Sequence, residues 1–479
     1  MISFGSIASL LGMTLFWLTT IIPRSSAGCD RQFDTSCSSP TLVGNLVLYC
    51  SFALMSVGAG GVRSTSIPFG IDQLSKGEKE SGIKESFFNW YYGTSTAAVL
   101  IGMTLMTYIQ ENMGWKVGFG IPVILMFISA VSFFIASPNY IKVLPKTNLL
   151  TRFAQVFVAS YRKRHLSPEV TSGISYYHEK ESELLEPSEK LRFLNKACII
   201  INPLQDLTPD GKASDPWSLC TVEQVQELKT VIRVLPILTT AIMLTVNMSQ
   251  SSFLVLEASS MDRHVTSNFQ IPAGSFGSIL IVAIIFWVAA YDRIIVPLAS
   301  KIRGKPARLG PKQKMGVGLM ASCVALASLA VVEGIRRRMA IKQGFIDDPK
   351  AVVNLSALWL LPRQFLDGLA EAANIIGQTE FFISELPQSM SSIAGSLMGV
   401  GSSIANLLAT LILNIVKDVT TRGGNEGWLA SNINRGRYDY YYWLIVGLSL
   451  LNFLYFLYCC KAYGPGKEEE SKSSDEENK

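Results

Sequence analysis

The chain has 479 residues, of which 49% are hydrophobic and 16% charged, with a formal net charge of +5 and a mean hydropathy of +0.30. Its apolar residues fall in blocks about 20 residues long, the length that crosses a hydrocarbon core of about 30 Å, which excludes a soluble globular protein. The basic residues sit in loops beside those blocks, where they orient helices in a bilayer, so the positive balance requires no nucleic acid partner.

In chain order the apolar segments run approximately 1–22, 41–64, 90–108, 116–137, 230–254, 272–298, 315–335, 353–376, 390–416 and 440–460. The expected fold class is all-α: a polytopic membrane protein with about ten transmembrane helices. Residues 1–137 form an N-terminal bundle of four helices and 230–460 a C-terminal bundle of six. A central loop, 138–229, separates them, and an acidic tail, 461–479, closes the chain. The first segment is read as a retained span and not a secretory signal, because residues 1–15 carry no charge where a signal needs a basic start.

Between the sixth and seventh segments stand Arg293, Lys301, Arg303, Lys305, Arg308, Lys312 and Lys314. Such a short basic loop is retained on the cytoplasmic side. Both termini and the central loop are then expected in the cytoplasm, with residues 23–40 outside. Arg336, Arg337 and Arg338 fall at an outer end, where snorkelling would accommodate them. The central loop carries an apolar periodic piece around Leu149–Val158, expected as a surface-lying helix. Tyr438, Tyr440, Tyr441, Tyr442 and Trp443 open the last segment as interfacial anchors, as Trp90, Tyr91 and Tyr92 open the third. Gly395, Gly399, Gly401, Ser402 and Ser403 are small residues that let helices approach closely.

Eight cysteines without a CxxC and three histidines far apart in loops offer neither a metal site nor a nucleophile–base pair. No cofactor is expected, and no enzyme activity. Cys29 and Cys37 share a loop and form either a disulfide or two free thiols. Cys459 and Cys460 are read as buried filler before palmitoylation sites.

Charges inside apolar spans carry the functional reading. Arg363, Asp367 and Glu371 are four residues apart, on one helix face. At that depth each charge costs at least about 2.5 kcal/mol, so it lines a pathway or pairs with a neighbour. An Arg363–Asp367 ion pair that locks the bundle is the plainer reading; Glu371 is left needing a partner from another helix, and such a carboxylate can take up a proton reversibly. Arg63 follows Gly58, Gly60 and Gly61, and its planar fork of donors suits an oxyanion such as nitrate; snorkelling is the alternative. Lys229 and Arg233 are read as snorkelling. Asn247, Ser249, Gln250, Ser251 and Ser252 suggest a hydrated face, with interhelical hydrogen bonding as the structural alternative.

Several strings in order, among them GAGGVRSTSIPFGIDQL (58–74), FFNWYY (87–92), MDRHVTSNFQIPAGSF (261–276), GQTEFFISELPQSM (377–390) and GWLASNINRGRYDYYYW (427–443), resemble the plant nitrate transporter/peptide transporter family. That family is a branch of the proton-coupled oligopeptide transporters within the major facilitator superfamily. The wording is most similar to the nitrate excretion transporter subgroup. The resemblance implies a major facilitator fold at the plasma membrane and alternating-access transport of a small solute, nitrate or another small anion first, with protons as a possible co-substrate. It places Arg63 where the family has a lysine, and Glu371 at the family's tenth-helix acid, implicated in gating and substrate binding. Asn247 stands where relatives carry tyrosine or histidine. Thr96 replaces an asparagine usual in peptide-transporting relatives. The first segments resemble the family's third and fourth helices, so the N-terminal bundle is expected to lack two helices and the family's ExxER motif. The expected substrate-binding residues are therefore Arg63, Asn247, Gln250 and Glu371, with Glu371, Arg363 and Asp367 as gating or proton-linked groups. The alternatives are a transporter of another small solute, such as a peptide or plant metabolite, or a transport-inactive relative that assembles with full-length family members.

Overall fold

The computed structural model describes residues 2–21, 42–74, 91, 94–141, 149–165, 176–178, 187–188, 190–209, 211–266, 269–304, 309–386, 391–422 and 426–464. Each of the ten expected apolar segments carries a helix. In the first half these are α1 (Ile2–Ile21), α2 (Leu42–Leu74), α3 (94–113) and α4 (Trp115–Ala136). A π-turn at Gly102–Met106 interrupts α3. Gly114 joins α3 to α4 at φ 84°, a conformation in which any Cβ is strained.

Next comes α5 (Leu149–Arg162), the expected amphipathic helix. It does not lie alone. Val156 and Ala159 pack with Leu194, Ala197, Cys198, Cys220 and Val225, a small core that ties α5 to the start of the next long helix. That helix, α6 (Val222–Ser259), opens with a capping box, in which the Thr221 hydroxyl accepts from the Gln224 N–H and the Gln224 side chain accepts from the Thr221 N–H. It breaks near Ala241, five residues after the internal Pro236, and tightens to a 3₁₀ turn at Gln250–Phe253. The helix α7 covers 278–303 with a π-turn at Tyr291–Ile295. After it come α8 (Pro311–Lys342), α9 (Leu361–Glu385), α10 (Ser391–Thr421) and α11 (Tyr438–Tyr463).

One segment differs from expectation. The apolar block 353–376 is not helical at its start: β2 (Val353–Ser356) pairs in parallel with β1 (Met261–Asp262), and the Val353 N–H donates to Ser260 O at 2.8 Å. Helix α9 begins only at Leu361, where Pro362 fits the first turn, and runs on to Glu385. Eight of the helices are long and apolar enough to cross a membrane by length and composition; α3 and α9 are not among them. The polar load of α9 explains its exclusion, since Arg363, Asp367, Glu371, Glu380 and Glu385 all lie on it.

In the N-terminal half, α1 lies against α2 and α4. The contact is close because glycines allow it: a Cβ on Gly58 would meet Ser9 N at 2.5 Å, and one on Gly12 would meet Met55 N at 2.7 Å. Much of the remaining surface of α2, α3 and α4 is apolar and uncovered, as helix faces toward lipid are. The C-terminal half has a proper core, in which Val246, Leu254, Leu326, Leu329, Tyr441 and Ile445 are buried together. The halves meet where Met103 and Thr107 of α3 abut Gly277 and Gly274.

Two expected snorkelling residues turn inward instead. Arg336 is fully buried; its guanidinium donates to both oxygens of Glu333 (2.7 and 2.8 Å), to Asn434 Oδ1 (2.6 Å) and to Ile433 O (3.1 Å). Lys229 is buried and its Nζ donates to Ser188 O at 2.6 Å. In both cases a protein acceptor within reach replaces water as the partner of the charge. Arg233 stays exposed while it donates to Tyr463 O at 3.1 Å and lies over the Tyr463 ring. Tyr441 and Tyr442 are likewise buried and not interfacial, whereas Tyr440 and Trp443 are exposed as anchors should be. Cys459 is buried filler in a second core cluster. The Cys29–Cys37 pair, Trp90 and Tyr92, and the tail beyond residue 464 lie outside the described residues.

Candidate functional site

Helix α9 positions the site. Its four-residue spacing puts Arg363, Asp367 and Glu371 on successive turns of one face. The first two pair: Arg363 Nε donates to Asp367 Oδ2 at 3.2 Å, and both side chains are buried. The plainer reading of these two residues, an internal ion pair, describes their geometry.

Glu371 is different. It is half-buried, and among the described residues no basic group pairs with it. It borders a cavity of about 260 Å³ enclosed by α6, α9 and α10. Around that space stand the amides of Asn374 and Gln378, the hydroxyls of Thr245 and Ser402, and the thioethers of Met248 and Met398. The break in α6 at Ala241 helps to form it, since Leu238, Ala241 and Ile242 line one wall. Gly401 contributes to another, so the small residues of α10 serve space as well as packing. Asn374 Oδ1 is buried with no hydrogen-bond partner, a polar atom available to a bound solute.

The other expected site residues lie elsewhere. Asn247 is buried with both ends of its amide used: Nδ2 donates to Ser322 Oγ at 2.8 Å and Oδ1 accepts from Ser449 Oγ at 3.0 Å. Gln250 is buried too, its Nε2 donating to Val246 O at 3.0 Å and its Oε1 accepting from Tyr441 Oη at 3.0 Å. Neither borders the Glu371 cavity. Their polar atoms are consumed in holding α6 to α8 and α11, which is the structural alternative for this stretch. Arg63 is exposed on α2. None of the described residues around this cavity comes from α2.

Two acids escape the sequence reading. Glu257 and Glu333 are both buried in the C-terminal half; Glu257 Oε1 accepts from the Tyr442 hydroxyl, and Glu333 holds the Arg336 fork. Glu257 falls just outside the apolar segment 230–254, whereas Glu333 lies inside 315–335. The one legible signal was the three-residue step from Glu333 to Arg336, a helical ion-pair spacing. No group of three or more His, Cys, Asp or Glu side chains among the described residues is placed to hold a metal ion.

Comparison with known proteins gives the frame for this geometry. The family model described as "PTR2: POT family" matches residues 1–429. Protein NRT1/ PTR FAMILY 1.2 of Arabidopsis thaliana is 50% identical over 473 residues, covering 97% of this chain and 78% of that protein. Protein NRT1/ PTR FAMILY 1.1 of the same plant is 50% identical over 468 residues, covering 96% of this chain and 79% of that protein. Among solved structures, an auto-inhibited POT family peptide transporter superposes with a TM-score of 0.62 at 16% identity, over 96% of this chain and 81% of the other. The POT family transporter PepTSo gives a TM-score of 0.62 at 14% identity, over 96% and 83%. At such low identity these structures speak for the fold alone, which is the major facilitator fold. The chain belongs to the POT family, in its NRT1/PTR branch, and is a multi-pass membrane transporter and not an enzyme.

Proposed function

We propose that the chain carries a small anion, nitrate first among the candidates, by alternating access at the plasma membrane, with the Glu371 cavity as the solute site. The single observation that carries this reading is the unpaired Glu371 carboxyl on the wall of a mostly apolar cavity that also presents the amides of Asn374 and Gln378. With a proton on Glu371, the cavity offers a neutral acid O–H, the N–H groups of Asn374 and Gln378 and the hydroxyl of Thr245 to an oxyanion, while the Ser402 hydroxyl already donates to Met398 O at 3.0 Å. Loss of the proton leaves a carboxylate that repels the anion at short range. Solute and proton would thus enter and leave together, and rocking of the two halves about their Met103–Gly277 contact would expose the site alternately. Arg63 would act as an attracting charge on α2 and not as a ligand in the cavity.

A second reading has one observation in its favour. No basic side chain stands among the described residues around the cavity, so with Glu371 ionised the space suits a solute bearing an ammonium or another donor group. One of the structural neighbours was solved with 5-aminolevulinic acid, which fits that chemistry.

Flux of labelled nitrate, and separately of a dipeptide, in oocytes expressing the chain, Arg63→Ala or Glu371→Gln decides between them. The first reading expects nitrate movement that falls about tenfold or more in Glu371→Gln, a loss of about 1.4 kcal/mol of barrier lowering, and more modestly in Arg63→Ala. Dipeptide movement with nitrate excluded would favour the second. No flux of either solute, with co-purification of a full-length relative, would point to the assembly role instead.

A further inference from the structure

Away from the Glu371 cavity, the C-terminal half encloses a cluster of charges that the transport reading does not use. Glu257 on α6, Glu333 and Arg336 on α8, and Arg363 and Asp367 on α9 are all buried. Tyr442 of α11 bonds to Glu257. Tyr438 of α11 lies within electrostatic reach of both glutamates, as Arg336 and Arg363 do of Glu257. Asp439 and Arg337 also lie within electrostatic reach of Glu333, with opposite effects on its charge.

The partners are unevenly shared. Glu333 receives two hydrogen bonds from Arg336 and keeps a full counter-charge. Asp367 receives the Nε–H of Arg363. Glu257 has only the Tyr442 hydroxyl on Oε1, and its Oε2 is buried without a hydrogen-bond partner. Arg363 Nη1 is also buried and unpartnered. The cluster therefore holds one carboxylate more than it has guanidiniums, and the excess is buried. Leaving an ion uncompensated at such a site costs far more than burying a neutral acid with one oxygen unpaired.

We propose that this cluster is a second proton-binding site, in which Glu257 takes one proton from the medium and Arg363 is the cation that its state controls. The carboxylate and the proton combine to a neutral acid, whose O–H donates to the Tyr442 oxygen in place of the bond running the other way. Arg363 then belongs to Asp367 alone. When the proton leaves to water, Glu257 becomes the stronger pull on Arg363, whose free Nη1–H is the donor already in place for it. The site thereby links the outer end of α6 to α9, the helix that carries Glu371. The inference is independent of which solute is carried, and its test needs no solute.

The experiment is infrared spectroscopy of the full chain in lipid nanodiscs at neutral pH, where exposed carboxyl groups are ionised. A protonated carboxyl C=O band is expected in the unaltered chain and in Glu371→Gln, and its loss in Glu257→Gln. The Tyr442→Phe chain should keep the band but shift it, because the acid loses its acceptor; this arm carries the test if Glu257→Gln fails to fold. A band that persists unchanged in Glu257→Gln, that is unmoved in Tyr442→Phe, or that disappears only in Asp367→Asn overturns the proposal.

Discussion

Asn247 Nδ2 lies 2.8 Å from Ser322 Oγ, joining α6 to α8, while the other end of the same amide accepts from Ser449 on α11. One side chain thus bridges three helices inside the C-terminal bundle. Replacing it by alanine strands both hydroxyls in a buried space; in membrane proteins each such interhelical bond is worth about 0.6 kcal/mol, up to about 1.7. Asn247→Ala should therefore lower the thermal midpoint in detergent while leaving the solute KM unchanged. A raised KM with an unaltered midpoint would return Asn247 to the solute path.

The Arg363–Asp367 pair gives a second expectation. Removing one partner of a buried ion pair is costly, about 3–5 kcal/mol, because the other charge is left alone, whereas replacing both by apolar groups of similar size is close to neutral. Arg363→Met should destabilise strongly, and Asp367→Leu added to it should recover part of the loss. Thermal unfolding of the two single and one double variants, read as a cycle, tests this; strictly additive losses would count against a coupled pair.

Close approach of α1 and α2 depends on Gly58, where an added Cβ would meet Ser9 N at 2.5 Å and Gly5 O at 2.7 Å, backbone atoms that cannot rotate away. Gly58→Leu should part the helices, with an overpacking cost of about 1–3 kcal/mol or more, and lower the yield of folded protein. Gly60, with no atom within 4 Å of a built Cβ, is the control: Gly60→Ala should be tolerated. Equal behaviour of the two variants would refute the packing account.

A fourth expectation concerns the unit at the start of α6. Asp215 accepts from the Trp217 N–H at 2.9 Å, from Ser218 Oγ at 2.8 Å and from Arg162 at 3.0 Å. The Trp217 bond first, then Ser218 and Arg162, hold its carboxyl below the ordinary range. A carboxyl depressed in the fold contributes stability above its unfolded value, near 3.9, and loses it as pH falls through the lower folded value. Docking of α5 should therefore be insensitive to pH from about 5 to 8 and loosen only in stronger acid. Hydrogen exchange of residues 149–162 should rise in Asp215→Asn at neutral pH, and a variant as protected as the unaltered chain would sink the idea.

Much of this arrangement is written plainly in the sequence. Length and apolarity mark the spans, and the step of four from Arg363 to Asp367 to Glu371 marks the charged face of α9. What the sequence hides is which polar side chains find partners. Asn247 and Gln250 look like a hydrated face because the hydroxyls that donate to them, of Ser449 and Tyr441, lie about two hundred residues on. Arg336 looks like a snorkelling charge because Asn434, its third partner, comes from a distant loop. Such long-range pairings have no local signature. The core formed by Val156, Leu194 and Cys220 is invisible for the same reason, its members being scattered through a polar stretch.

The central claim is that Glu371 is the acid whose proton travels with the solute. Its most direct test is nitrate uptake into liposomes containing the purified chain, measured against external pH for the unaltered protein and for Glu371→Gln. The account predicts uptake that rises on acidification in the former and is flat in the latter, since glutamine keeps the shape and cannot exchange a proton. Glu371→Gln uptake with the full pH response of the unaltered protein would contradict it.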